Sequence, residues 1–230
     1  MIAIVDYGMG NIRSVEKGFI KVGADVIVTS EPKVISDAKG IVLPGVGAFK
    51  DCMKNLDDLR LLDTIIKELQ KGKPYLGICL GLQILFTESE EFGICKGLNV
   101  FNGKVVKFKF DTQNTGHGSR VTGHGLKIPH MGWNTVKSVR KPPVFDLIKD
   151  NSYFYFVHSY YVVPDDKDII AGVTEYGIEF TSMVWKDNVV ATQFHPEKSQ
   201  ELGLRILKGF KKFVHDHNGN QAKQAWLQSL

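Results

Sequence analysis

Tyr75-Leu76-Gly77-Ile78-Cys79-Leu80-Gly81 decides how this 230-residue chain is read. The apolar run over residues 75–78 predicts a buried strand, and the segment from about 79 to 88 reads as a helix that follows it without a loop. A glycine on each side of Cys79 marks the tight strand-to-helix turn on which a nucleophile is presented, because larger neighbours would clash there. A thiol at a helix N-terminus feels the positive end of the dipole, which favours the thiolate. Upstream the same strand-then-helix unit repeats. Strands are expected over residues 2–5, 24–29 and 41–43. A helix capped by Asn11 runs to about Val22, with Ile12, Val15, Phe19 and Val22 on one stripe and Gly23 ending it. One or two helices follow over 51–69. Such alternation predicts a parallel sheet with helices on both faces.

Downstream the character changes. Residues 105–108, 133–136, 153–157, 160–163, 169–174, 181–185 and 189–193 are short segments rich in β-branched and aromatic residues, separated by Gly, Asn and Asp turns. They predict antiparallel or mixed pairing. A closing amphipathic helix is expected over about 199–217, with Leu202, Ile206, Phe210 and Phe213 on one side. The fold class is therefore α/β: a mixed, largely parallel central sheet flanked by helices, with additional antiparallel strands. Residues 1–217 read as a single domain and 218–230 as a C-terminal tail, frayed or adding a helical turn. The polar, Gly-rich stretch 111–125 reads as a loop or mobile segment.

Composition narrows the function. Hydrophobic residues are 43% and charged residues 23%, which suits a globular core and excludes a disordered or collagen-like chain. No apolar run reaches the ~18 residues of a membrane span, and the first residues reach Asp6 with no basic region before it, so neither membrane nor signal peptide is expected. Three cysteines, an odd number, argue for a reducing, cytoplasmic setting. Net charge of +4 does not call for a nucleic-acid partner. Gly8-Met9-Gly10 follows the first strand, but Arg13 stands where a dinucleotide fingerprint needs its third glycine, and no P-loop is present. No cofactor is expected. His117 and His124 lack a Cys or acidic cluster, so no metal is expected either. Cys52 and Cys95 lack an elbow and read as inert. Lys208, Lys211 and Lys212 read as a solvated helix face.

Two further segments complete a site. Gln193-Phe194-His195-Pro196-Glu197 ends a strand, and His195 and Glu197, two residues apart, share a face if that segment is extended. A carboxylate beside an imidazole fixes its tautomer and stabilises the imidazolium, the orienting role in a Cys–His–acid set. Alone, His-Pro-Glu reads as a surface turn; with Cys79 it supplies base and orienter to a nucleophile, since sheet order can bring distant strand ends to one edge. Pro44-Gly45-Val46-Gly47, also after a strand, has two glycines that let backbone N–H groups point at a ligand, a natural oxyanion hole in a cysteine acyl-transfer site. In isolation it is an ordinary strand-ending turn.

Gly77-Ile78-Cys79-Leu80-Gly81-Leu82-Gln83 together with His195-Pro196-Glu197 resembles the class I (triad) glutamine amidotransferases, a flavodoxin-like fold. The likeness narrows with Asp6-Tyr7-Gly8-Met9-Gly10-Asn11, Leu43-Pro44-Gly45-Val46-Gly47-Ala48-Phe49, Pro129-His130-Met131-Gly132-Trp133-Asn134, Tyr155-Phe156-Val157-His158-Ser159-Tyr160 and His195-Pro196-Glu197-Lys198-Ser199. Over about residues 1–214 these are similar to the glutaminase subunits of imidazole glycerol phosphate synthase. The resemblance implies that Cys79 attacks the side-chain amide of L-glutamine, that His195 serves as acid and then base, and that Glu197 orients it. It implies an oxyanion hole from backbone N–H groups around Val46, Gly47 and Leu80, and substrate contacts from Gln83 and Glu91. It also implies a heterodimer with a (β/α)8-barrel cyclase that uses the ammonia to make imidazole glycerol phosphate and AICAR in histidine biosynthesis. Pro129, His130, Met131, Gly132, Trp133 and Asn134 would lie at that junction, and Tyr155 and Lys198 would border the ammonia route. Trp133 reads equally as an interface anchor or a core residue. The long 111–125 stretch and the tail depart from the family pattern. Rival readings are a paralogous glutaminase feeding another synthase, such as one amidating cell-surface sugars, a cysteine hydrolase, and a non-catalytic interaction module.

Overall fold

A computed structural model describes residues 1–110, 126–146 and 148–228, with side chains up to residue 217. The 111–125 stretch and its two histidines lie outside these. The first part alternates as β1 (Ile2–Val5), α1 (Ile12–Lys21), β2 (Val26–Thr29), α2 (Pro32–Asp37), β3 (Ile41–Gly45), α3 (Phe49–Asp58), α4 (Leu62–Gln70), β4 (Tyr75–Cys79) and α5 (Leu80–Gln83). Then come β5 (Phe86–Ser89), β6 (Cys95–Lys96), β7 (Phe101–Lys107), β8 (His130–Ser138), β9 (Ser152–His158), β10 (Tyr160–Pro164), β11 (Ile170–Glu175), β12 (Glu179–Lys186), β13 (Val189–Thr192) and α6 (Gln200–Gln228). The sheet runs β2-β1-β3-β4-β13-β12-β10-β7-β5-β6, with β11 branching from β12 to β8 and β9. β2, β1, β3, β4 and β13 pair in parallel, and β13, β12, β10 and β7 pair antiparallel. This is the mixed sheet expected.

Side-chain alternation along the strands divides the interior into two cores, one on each face. Ala3, Val5 and Leu43 point to one face and pack with Phe49, Cys52, Leu56 and Ile65 of α3 and α4. Ile2, Ile4 and Val42 point to the other and pack with Val15 and Phe19 of α1 and Ile206 and Phe210 of α6.

Three expectations need correction. Asn11 holds the N-cap position of α1, but its side chain makes no capping hydrogen bond. The helix expected over 79–88 stops at Gln83, because the chain turns to put Phe86 in register with Phe101 of β7. There Ile84 O accepts from Leu98 N at 2.7 Å, so tertiary pairing takes the peptide groups that would have extended the helix. The 51–69 segment, expected as one or two helices, is two, broken at Arg60, which has a left-handed φ of 54°. The final helix begins at Gln200 and its backbone stays helical to Gln228, so the tail adds far more than one turn.

Close approach at the elbow fixes two glycines. A Cβ on Gly77 would collide with the Gly81 carbonyl oxygen, and one on Gly81 with the Leu43 carbonyl oxygen of the neighbouring strand. Gly81→Ala should therefore separate β3 from the β4–α5 turn and lower unfolding free energy by about 1–3 kcal/mol, read by chemical denaturation. An unaltered midpoint would contradict this packing.

The second core also holds two histidines. His130 stacks on Tyr176 at 3.9 Å between ring centres and on Phe156 at 4.8 Å, and His158 lies beside Phe108 and Phe180. Burial lowers their pKa values, to about 4 for His130 and about 3 for His158. In the unfolded chain both titrate near the ordinary value of about 6.5. Above that pH neither costs stability. As pH falls from about 6.5 toward 4, the unfolded chain binds protons that the folded chain refuses, so stability drops. Denaturation midpoints should fall across that window, and fall less in His158→Asn.

Candidate active site

Parallel strands β3, β4 and β13 all end at one sheet edge, and β4 lies between the other two. Gly45 is in register with Cys79, and Thr192 with Ile78. The segment after β3 carries Val46 and Gly47; the segment after β13 carries Gln193, His195 and Glu197. Sheet order thus gathers residues separated by more than a hundred positions at the carboxyl ends of the strands, where α/β sheets bind ligands.

Cys79 is the last residue of β4 and the N-cap of α5, with φ 55° and ψ −102°. A non-glycine residue in such a conformation costs of order 1–3 kcal/mol and persists where surrounding structure dictates it. The turn aims the thiol into a cavity of about 270 Å³, where Val46, Gly47, Leu80, Gln83 and Glu91 also meet. Its far wall is Pro129 with Val157, His158, Ser159 and Tyr160. Gly47 has φ 105°, and a Cβ there would strike Met9. The strand beneath is held by Tyr7, whose hydroxyl donates to the Pro44 carbonyl at 3.0 Å. Glu91 accepts from Phe49 N at 2.7 Å, so it fixes the start of α3 as well as lining the cavity.

His195 Nδ1 is 2.9 Å from Glu197 Oε1, and both side chains are about 1% exposed. Pro196 begins a single 3₁₀ turn, so the two residues face each other across a bend and not along an extended strand as expected. Burial pulls the His195 pKa down, but the adjacent Cys79 sulfur and the Glu197 carboxylate outweigh it and raise the value to about 10. The arrangement favours the imidazolium form of His195. His195 Nε2 is buried and makes no hydrogen bond among the described residues. It is the nitrogen free to exchange a proton, since Nδ1 is engaged by Glu197.

The 129–134 motif forms the start of β8, paired with β9 so that Trp133 faces Tyr155. Met131 and Trp133 are 62% and 47% exposed, while His130 is buried. Trp133 is thus a surface residue, and His130 is part of the interior. Trp133 meets the Tyr155 ring edge-on at 6.1 Å, and Lys198 Nζ sits 5.6 Å from the centre of the same ring. Tyr155 O accepts from His195 N at 2.9 Å, so this cluster is fastened to the turn that carries His195 and Glu197.

Three residues escaped the reading of the sequence. Gln193 is fully buried and donates from Nε2 to Cys79 Sγ at 3.6 Å. Ser199 Oγ donates to His195 O at 2.7 Å and accepts from Tyr155 N at 3.0 Å. His158 lines the cavity. All three lie within quoted motifs, and Gln193 also precedes His195 by two residues at a strand end. A larger groove of about 890 Å³ between α1 and α6 shares no residue with this cavity. Among the described residues no group of His, Cys, Asp and Glu has the arrangement to hold a metal.

The class-I glutamine amidotransferase family matches residues 3–213. Imidazole glycerol phosphate synthase subunit HisH of Geobacter sulfurreducens is 54% identical over 209 residues, covering 91% of this chain and 97% of that protein. The subunit of the same name from Syntrophotalea carbinolica is 54% identical over 210 residues, covering 91% and 98%. Among solved structures, PurLQS from Thermotoga maritima shares the fold with a TM-score of 0.64 at 17% identity, covering 94% of this chain and 97% of that one. The chain belongs to the class-I glutamine amidotransferases and, within them, to the family of imidazole glycerol phosphate synthase HisH subunits.

Proposed function

We propose that this chain is the glutaminase subunit of imidazole glycerol phosphate synthase in histidine biosynthesis and hydrolyses L-glutamine through Cys79, His195 and Glu197. The observation that carries the chemistry is a strained elbow cysteine beside a buried histidine that is hydrogen-bonded at Nδ1 to a carboxylate. The Cys79 thiolate adds to the side-chain amide carbon of glutamine. Backbone N–H groups around Val46, Gly47 and Leu80 hold the oxyanion, a donor set of which one member is typically worth ~10²–10³ in rate. His195 gives its Nε2 proton to the departing nitrogen, and ammonia leaves as the glutamyl thioester forms. His195 then takes a proton from water, whose oxygen attacks the thioester. The thiolate departs and glutamate is released. Glu197 keeps the imidazole in the tautomer and orientation that both halves need.

Gln83 and Glu91 hold the substrate. Both hydrogens of the Gln83 amide are engaged, one on Tyr160 O and one on Gln193 Oε1, each at 3.1 Å, so its own oxygen is left to accept from glutamine. The ammonia passes to a (β/α)8-barrel cyclase docked on the face that carries Met131 and Trp133, with Tyr155 and Lys198 beside its route. The exposed Trp133 ring supports this face as the contact. No helix among the described residues is long and apolar enough to cross a membrane.

Cys79→Ala should abolish glutamate release from glutamine while leaving the unfolding curve intact; residual turnover near the wild-type rate would remove Cys79 from the mechanism. Trp133→Ala should weaken binding to the cyclase subunit about tenfold or more, as loss of an aromatic anchor does. Titration calorimetry against a histidine-pathway cyclase reads this, and equal affinity would move the interface elsewhere.

A further inference from the structure

A buried polar chain runs from β8 to the Cys79 sulfur, and one atom fixes its direction. The Tyr160 carbonyl oxygen can only accept. His158 Nδ1 lies 2.8 Å from it and Gln83 Nε2 3.1 Å, so both nitrogens carry hydrogen. Toward the site, the second hydrogen of Gln83 Nε2 goes to Gln193 Oε1 at 3.1 Å. That contact turns the Gln193 amide so that Nε2 faces Cys79 Sγ at 3.6 Å. Away from the site, His158 carries its hydrogen on Nδ1, so its Nε2 accepts from His130 Nδ1 at 3.0 Å. His130 Nε2 then accepts from Asn134 Nδ2 at 3.3 Å, and the other hydrogen of that amide goes to Glu175 O at 2.9 Å. Asn134 Oδ1, in turn, accepts from Thr135 N at 2.8 Å. Any reversal would leave two acceptors or two donors facing each other, so the chain has one polarity. Burial, which lowers both histidine pKa values, keeps the rings neutral as that polarity requires.

We propose that Gln193 is a further catalytic residue: held in a single orientation by this chain, its side-chain N–H donates to Cys79 Sγ and stabilises the thiolate, with His158 as the positioning residue behind it. The proposal rests on the glutaminase reading for the role of Cys79, but not for the contact itself. Gln193 is 0% exposed, so no bulk solvent competes for its hydrogen. His195, the other donor near the sulfur, is drawn toward its protonated form by Cys79. The titratable groups coupled to Cys79 are His195, Tyr7 and Cys52, of which burial pushes Cys52 up to about 12 and Tyr7 higher still. Beside the neutral Tyr7 and Cys52, Gln193 and His195 are left to favour the thiolate. A neutral amide donor stabilises negative sulfur without competing with His195 for the proton that must be transferred.

The test is the pH dependence of Cys79 alkylation by iodoacetamide in the whole chain, followed by the mass of the peptide that carries Cys79, together with glutamine turnover. Gln193→Met keeps the volume and removes the donor. It should raise the apparent Cys79 pKa by about one pH unit and lower kcat about tenfold, with KM for glutamine nearly unchanged. Gln193→Glu still accepts from Gln83 but turns an oxygen and a charge toward the sulfur, and should raise the pKa further. His158→Leu should move the alkylation profile in the same direction, and His158→Asn, which retains a donor for the Tyr160 carbonyl, should restore it. A folded Gln193→Met or Gln193→Glu chain with the wild-type alkylation profile and kcat overturns the proposal. If Gln193→Met does not fold, Gln193→Glu and the His158 pair decide. A wild-type chain that fails to release glutamate counts against the glutaminase reading, and the alkylation profile still reports on Gln193.

Discussion

The backbone of Cys79 is the constraint on which the site depends. A residue with φ 55° at the end of a strand is held there only if both flanks are fixed, and β4 is fixed by parallel pairing to β3 on one side and β13 on the other. Gly77 and Gly81 allow this, because a side chain at either would push apart the elements that meet at the turn. The same two neighbours then supply the rest of the chemistry. Strand β3 leads into the Pro44–Gly47 turn, and β13 leads into the segment with His195 and Glu197. Placing Cys79 on an inner strand therefore dictates where the proposed oxyanion donors and the proposed base have to lie.

The second half of the chain serves the same edge from outside the parallel sheet. Strands β8 and β9 pair as a ribbon joined to the sheet through β11. One side of the ribbon is interior, with His130, Phe154, Phe156 and His158 packed against the second core. The other presents Met131, Trp133 and Tyr153 to solvent. Period-two alternation makes the cavity wall and the outward surface two faces of the same backbone. A displacement of that ribbon by a bound protein would bear directly on Tyr155, whose carbonyl holds His195 N, and on His158.

The sequence made the parallel half legible because its strands are short apolar runs and its helices carry clear stripes. Cys79, His195 and Glu197 stood out because Cys79 ends a strand two residues from Gly77 and from Gly81, and His195 and Glu197 flank Pro196 soon after another strand. The shortening of α5 was not legible. Residues 84–88 carry no helix breaker, and their conversion to a strand comes from pairing with β7, more than a dozen residues further on. Nor was the orientation of the 129–134 motif. His130 and Trp133 are both aromatic rings on one strand, and only the register with β9 assigns one to the core and the other to the surface. The role of Gln193 was hidden as well, since nothing in a glutamine's identity says that its amide is pinned at one end by Gln83.

The buried polar atoms of the interior divide into two kinds. Along the chain from Asn134 to Gln193 each donor meets an acceptor, and such a network rigidifies what it joins. At His195 the matching stops: among the described residues its Nε2 and Glu197 Oε2 are buried without a hydrogen-bond partner, as is Ser138 Oγ elsewhere. Leaving such atoms unmatched costs about 1–3 kcal/mol each. At His195 the proposed proton transfer accounts for it. An Nε2 locked in a strong internal hydrogen bond could not give its hydrogen to one atom and take another from water, whereas a neighbour fixed by a fully matched chain holds the sulfur still while that exchange takes place. Rigidity is thus placed around the thiol and freedom is left at the imidazole, and the division between them falls between Gln193 and His195, two residues apart on one segment.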